Sequence, residues 1–178
     1  PLNVRKRLFS EGLPPAGWTA EFFLGRIFMV NPSNPSQILY SEANLPEDFP
    51  SDNVIELPVS SQDPSPYITA IRANNGQLWA YTQNGGYLVG GQVPPYRVTP
   101  YFRGIGSRST QGTIYVEGAG VIFPALDAVY VHPGGADVSR LGVSRAWPGL
   151  NPLGDLYDSL DKTRLENACA ALNKVAGI

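Results

Sequence analysis

Residues 68 to 90, Ile68-Thr69-Ala70-Ile71-Arg72-Ala73-Asn74-Asn75-Gly76-Gln77-Leu78-Trp79-Ala80-Tyr81-Thr82-Gln83-Asn84-Gly85-Gly86-Tyr87-Leu88-Val89-Gly90, decide the fold class. Three runs rich in β-branched and aromatic residues are separated by Asn74-Asn75-Gly76 and Asn84-Gly85-Gly86, residues that accept positive φ, so the segment predicts antiparallel strands in a meander. Neither face of these strands is cleanly polar. Leu78 and Ala80 alternate with Trp79 and Tyr81, and Ile68, Ala70 and Arg72 alternate with Thr69 and Ile71. Strands apolar on both faces are expected where one sheet packs between two others, as in a sandwich core or between propeller blades. Trp79 and Tyr81 share a face and are expected in that packing.

The same signal recurs on both sides of this segment. Strands are predicted at Arg26 to Val30, Gln37 to Tyr40, Val54 to Leu57, Thr113 to Val116, Val121 to Phe123 and Ala128 to Val131, with Asn31-Pro32-Ser33-Asn34-Pro35 as one connecting turn. The expected core is Ile27, Leu39, Ile55, Ile71, Leu78, Leu88, Ile114, Val121, Phe123 and Val129. Residues 92 to 112 change character, with Pro94-Pro95, Pro100 and Gly104-Ile105-Gly106, and read as an extended, partly strand-like excursion. Near the end, Leu156, Leu160, Leu165, Ala168, Leu172 and Val175 recur near helical spacing, which predicts an amphipathic helix over 155 to 175. The fold class is therefore mainly β, with antiparallel blade-like sheets, an incomplete propeller or sandwich, and a C-terminal α-helix. Residues 1–25 form an N-terminal arm, 26–147 the β domain, and 148–178 a linker and the helix.

Composition narrows the function. The chain has 178 residues, enough to bury one core without disulfides or metal, and its 43% hydrophobic content against 16% charged residues excludes the disordered class. A net charge of -2 gives no electrostatic footprint for general polyanion binding, and the basic Arg5-Lys6-Arg7 reads as a solvated tail. No apolar run reaches the length of a membrane-spanning helix, and no secretory segment is visible. Cys169 is alone and is expected as a small apolar side chain in a helix interface. His132, the one histidine, is expected at a strand end on the surface, where neither zinc spacing nor a triad can be assembled around it. Gly104-x-Gly106 and Gly118-x-Gly120 read as turn glycines, because no helix or Gly-Lys-Ser/Thr follows them. Glu42, Glu47, Asp48, Glu56, Glu117 and Asp127 show no spacing that pairs any two for glycoside hydrolysis. No catalytic, cofactor-binding or metal-binding residues are expected.

The stretch from Asn31 to Pro50, with Tyr40-Ser41 and Pro46-Glu47-Asp48-Phe49, continues as Ile68-Thr69-Ala70-Ile71, Gln77-Leu78-Trp79-Ala80-Tyr81 and Gly86-Tyr87-Leu88-Val89-Gly90. It resembles the blade phrases of propeller-bearing tail proteins of short-tailed bacteriophages, the nozzle or tail tubular B-type proteins and the packaged-DNA stabilisation proteins. Gly104-Ile105-Gly106-Ser107, Ile114-Tyr115-Val116, Gly120-Val121-Ile122-Phe123 and Val129-Tyr130 are similar to the phrase of a following blade, with Ala128 where that phrase has glycine. The resemblance covers roughly residues 26 to 131, and such proteins are usually several times longer, with a closed ring of blades.

The resemblance implies a structural, ring-forming virion protein of the neck or tail, at a head-tail connection or in the tail tube. Its partners would be copies of itself and other virion proteins, with DNA passing nearby and no membrane anchor. Candidate intersubunit contacts are Tyr96, Tyr101, Phe102, Leu156, Leu160, Leu165 and Leu172, because a Pro/Gly-rich arm and an apolar helix offer surface that a small β domain does not need. Two other classes stay open. One is a carbohydrate-binding adhesin module that uses exposed Trp or Tyr, and the other is a glycan hydrolase.

Overall fold

The computed structural model describes residues 16–61, 63–141 and 157–171. It contains three four-stranded antiparallel meanders. The first is β1 (Ala20–Phe23), β2 (Arg26–Val30), β3 (Gln37–Tyr40) and β4 (Val54–Glu56); the second is β5 (Ile68–Asn74), β6 (Gln77–Thr82), β7 (Gly85–Gly90) and β8 (Arg97–Arg103). The third is β9 (Ile114–Val116), β10 (Gly120–Pro124), β11 (Val129–His132) and β12 (Ser139–Arg140). The first strands of neighbouring sheets touch, β1 against β5 and β5 against β9.

The second sheet lies between the other two, as its two apolar faces require. Ile68, Ile71, Leu78, Ala80, Tyr87 and Val89 meet Phe28, Val30, Ile38, Tyr40, Ile55 and Leu57 of the first sheet and the loop after it. On the opposite face, Ala70, Trp79, Tyr81 and Phe102 meet Val121, Phe123, Ala125, Ala128 and Tyr130. An irregularity between Ile68 and Ala70 lets Ile68 and Ile71 share one face. Each fully buried aliphatic chain contributes about 1.5–3 kcal/mol.

Several expectations change. Ala20–Phe23, assigned to the arm, is a strand of the first sheet, turned into β2 by Leu24 and Gly25 at φ 47° and 75°. Residues 97 to 103 are the fourth strand of the second sheet, where Pro100 is tolerated because β8 is an edge. Phe102 lies over Gly86, and any side chain there would strike its ring. Of the expected core, Ile55, Ile71, Leu78, Val121 and Phe123 are buried; Ile27, Leu39, Leu88, Ile114 and Val129 are half-buried. In β2, β3 and β11 the buried set is one residue out of phase, Phe28 and Val30, Ile38 and Tyr40, Tyr130 and His132. These strands are apolar on both faces, so alternation alone does not say which side faces inward.

Helical structure within residues 157–171 is short. Only Tyr157 and Asp158 are α-helical among the described residues there; Asp161 then caps a 3-10 helix, Lys162–Asn167, by accepting from the Thr163 amide, and Ala168 is already extended.

The free edge of β5 is closed by side chains. Thr19 Oγ1 accepts from the Ile71 amide at 3.3 Å and Glu21 Oε1 from the Ala73 amide at 3.1 Å. Arg72 spans the junction, donating to the carbonyls of Thr113 (2.8 Å), Thr110 (3.0 Å) and Ile71 (2.7 Å) and to Thr19 Oγ1 (3.3 Å). Burial pushes the Glu21 carboxyl pKa up, opposed by the Ala73 amide and Arg72.

Candidate functional site

His132 is not on the surface. β11 runs one residue further than its apolar run suggests, pairing His132 with Val121, so the imidazole enters the second inter-sheet core and is fully buried. Its ring stands edge-on to Trp79, Tyr81 and Phe102, with centroids 4.4, 5.8 and 5.0 Å away. Nε2 lies 2.9 Å from the Gly135 carbonyl, which can only accept, so Nε2 carries the proton. Nδ1 is then the acceptor for the Tyr81 hydroxyl at 2.8 Å. Burial lowers the His132 pKa, against the Gly135 hydrogen bond, and raises that of Tyr81. The pair is neutral and sealed, which makes it a hydrogen-bonded lock between two sheets.

The two outer faces differ. On the first sheet Ala20, Met29, Leu39 and Val54 lie in one cross-strand row, with Phe22 opposite Ile27 beside it. Phe22 is 67% exposed and Val54 37%, so this apolar row reaches solvent. On the third sheet Ile122, Pro124 and Val129 are roofed by residues 157–170, and Tyr157, Leu160, Leu165 and Ala168 enclose a 260 Å³ cavity with them. The roof is fastened by the Tyr157 hydroxyl on the Ala125 carbonyl, Ser109 Oγ on the Ala168 carbonyl at 2.5 Å, and the Ala170 amide on the Gln111 carbonyl at 3.2 Å. Cys169 lines this cavity and is exposed, outside any helix.

Two further cavities carry charged side chains. In one, of 340 Å³, Asp63 accepts from Thr82, Asn84 and Tyr87 at 3.3, 3.3 and 3.1 Å; burial, followed by Asp63, pushes the Tyr87 hydroxyl up to about 12. The other is a 410 Å³ groove lined by Trp18, Tyr67, Thr69, Gln83, Arg108, Thr110 and Glu166. No group of three or more His, Cys, Asp or Glu able to hold a metal ion occurs among the described residues.

The candidate contact residues fall into three sets. Tyr96 and Phe102 are used within the chain: Tyr96 stands edge-on to Phe28 and Tyr40, and Phe102 is buried beside Tyr81. Leu165 is likewise buried, as the inward residue of the 3-10 helix. Tyr101 and Leu160 remain exposed, although Tyr101 leans on Trp79 with centroids 5.1 Å apart. Leu156 and Leu172 lie outside the described residues. The apolar row of the first sheet and the Trp18 groove were missed, because neither is a local pattern. No protein-family model matches the chain, and no curated protein matches it.

Proposed function

We propose that this chain is a structural, ring-forming virion protein of the neck or tail of a bacteriophage, acting through protein interfaces. The observation that carries the reading is the exposed apolar row of the first sheet, Ala20, Met29, Leu39 and Val54 with Phe22 and Ile27. Among the described residues, both faces of the second sheet and the inner faces of the other two are met by a further layer, and residues 157–170 lie over part of the third sheet's outer face, in a stack like that of propeller blades. The next layer on this row would come from a neighbouring copy, and where a different surface of that copy supplies it, repetition of the contact about an axis gives a ring. The blade phrases quoted above support the virion setting.

The test is the mass of the purified chain in solution, together with mass spectrometry of purified particles of the phage that encodes it. A discrete oligomer is expected, reduced to monomer by Leu39→Asp combined with Phe22→Asp while the β-sheet circular dichroism is kept. A wild-type chain that stays monomeric at all concentrations, or that is absent from particles, would overturn the reading.

A further inference from the structure

We propose that the groove between Trp18, Tyr67, Gln83, Arg108, Thr110 and Glu166 binds a saccharide. Its apolar side is a stacked pair of rings, Trp18 and Tyr67, with centroids 5.6 Å apart and planes 10° from parallel. Both rings are partly exposed, 37% and 45%. Trp18 Nε1 donates to the Ile68 carbonyl at 3.1 Å, which pins the ring and consumes its one donor. What the indole then offers a ligand is apolar ring surface, a match for the C–H face of a pyranose.

The other side of the groove supplies what sugar hydroxyls need. Arg108 donates to Gln83 Oε1 at 2.9 Å, an arrangement that holds two planar polar groups together and leaves the Gln83 amide NH₂ as a donor. Arg108 Nε is buried without a partner among the described residues. Glu166 adds a carboxylate acceptor from the 3-10 helix. Planar donors and acceptors beside an aromatic platform recognise hydroxyls pairwise, and charged ones do so more strongly than neutral ones. The 410 Å³ volume lies within the range of small-molecule sites.

The other cavities do not share this chemistry. In the Asp63 cavity the carboxylate already has three partners within the chain, the cavity beneath residues 157–170 is almost wholly apolar, and the one lined by Phe23, Leu24, Gln77, Leu88 and Val89 holds no charged group. A nucleobase could also stack on Trp18, but a single-stranded nucleic acid brings phosphates. The groove holds one cation against one carboxylate, in a chain of net charge -2.

The test uses the whole chain on an array of neutral and acidic glycans, followed by titration of the best binder with tryptophan fluorescence and calorimetry, and by a single-stranded dT oligonucleotide in parallel. Saturable glycan binding is expected, weakened at least tenfold in Trp18→Ala and in Gln83→Ala. Gln83 is exposed, so its variant keeps the wild-type melting temperature and separates loss of ligand from loss of fold. Tighter binding of the oligonucleotide than of any glycan, no glycan bound at millimolar concentration, or glycan binding unchanged in Gln83→Ala would each overturn the proposal. The ring reading is untouched by any of these results.

Discussion

The first and second inter-sheet cores share the central sheet but solve different problems. Between the first and second sheets the contact is aliphatic and aromatic, and its hydroxyls sit at the margin, as with Tyr87 on Asp63. Between the second and third sheets a histidine and a tyrosine are hydrogen-bonded at the centre, ringed by Trp79, Phe102 and Phe123. An apolar contact tolerates sliding and repacking, whereas a buried polar pair must find its partner or leave a desolvated atom unpaired. The second core therefore fixes which sheet stacks where, and the first mainly adds burial.

The largest expected effect is at Trp79, the most voluminous fully buried side chain among the described residues. Trp79→Ala should cost about 3–5 kcal/mol in a urea titration. A loss below that range would mean the aromatic core is loosely packed. A sharper contrast removes the same atom from each core. Tyr81→Phe strips His132 Nδ1 of its donor and should cost about 1–3 kcal/mol, while Tyr40→Phe, whose hydroxyl makes no hydrogen bond among the described residues, should stay within about 0.5 kcal/mol. Equal losses would erase the distinction drawn between the cores.

The smallest effect is in pH. The His132 pKa is lowered in the folded state, so the unfolded chain binds more protons as pH falls through the ordinary value of 6.5. Its contribution to stability is fully present above that pH and declines below it, with a slope of at most about 1.4 kcal/mol per pH unit for one proton. Melting temperatures across this range should show the decline in the wild type and a shallower one in His132→Gln. Matching slopes would place the proton uptake elsewhere.

Much of the sheet order was legible. Arg26–Val30 and Gln37–Tyr40 are strands with the bounds their composition predicts, and Trp79 and Tyr81 do share the second core. Strand β1 was not, because its turn is Leu24-Gly25, and leucine at positive φ carries no turn signal. Strand β8 was hidden by Pro100, and the depth of His132 by the Pro133-Gly134-Gly135 that follows it. Of the residues that gave the helical period near the C-terminus, Leu160, Leu165 and Ala168 line a cavity on the third sheet, and Asp161 and Ala168 bound the 3-10 helix there. The groove joins positions 18, 67, 83, 108 and 166, which only the packed sheets bring together.

The edges of these sheets bear on how far association can run. β4 and β9 have three residues, β12 has two, and β8 is interrupted by Pro100, so among the described residues no outer edge presents a long uninterrupted row of free amides and carbonyls. The inner edge of β5 is occupied by Thr19, Glu21 and Arg72. Lateral strand addition, the direction in which fibrils elongate, is disfavoured at these edges. In the proposed assembly growth would be left to the face of the first sheet, and a heterologous contact through that face ends in a bounded particle only where its rotation closes a ring.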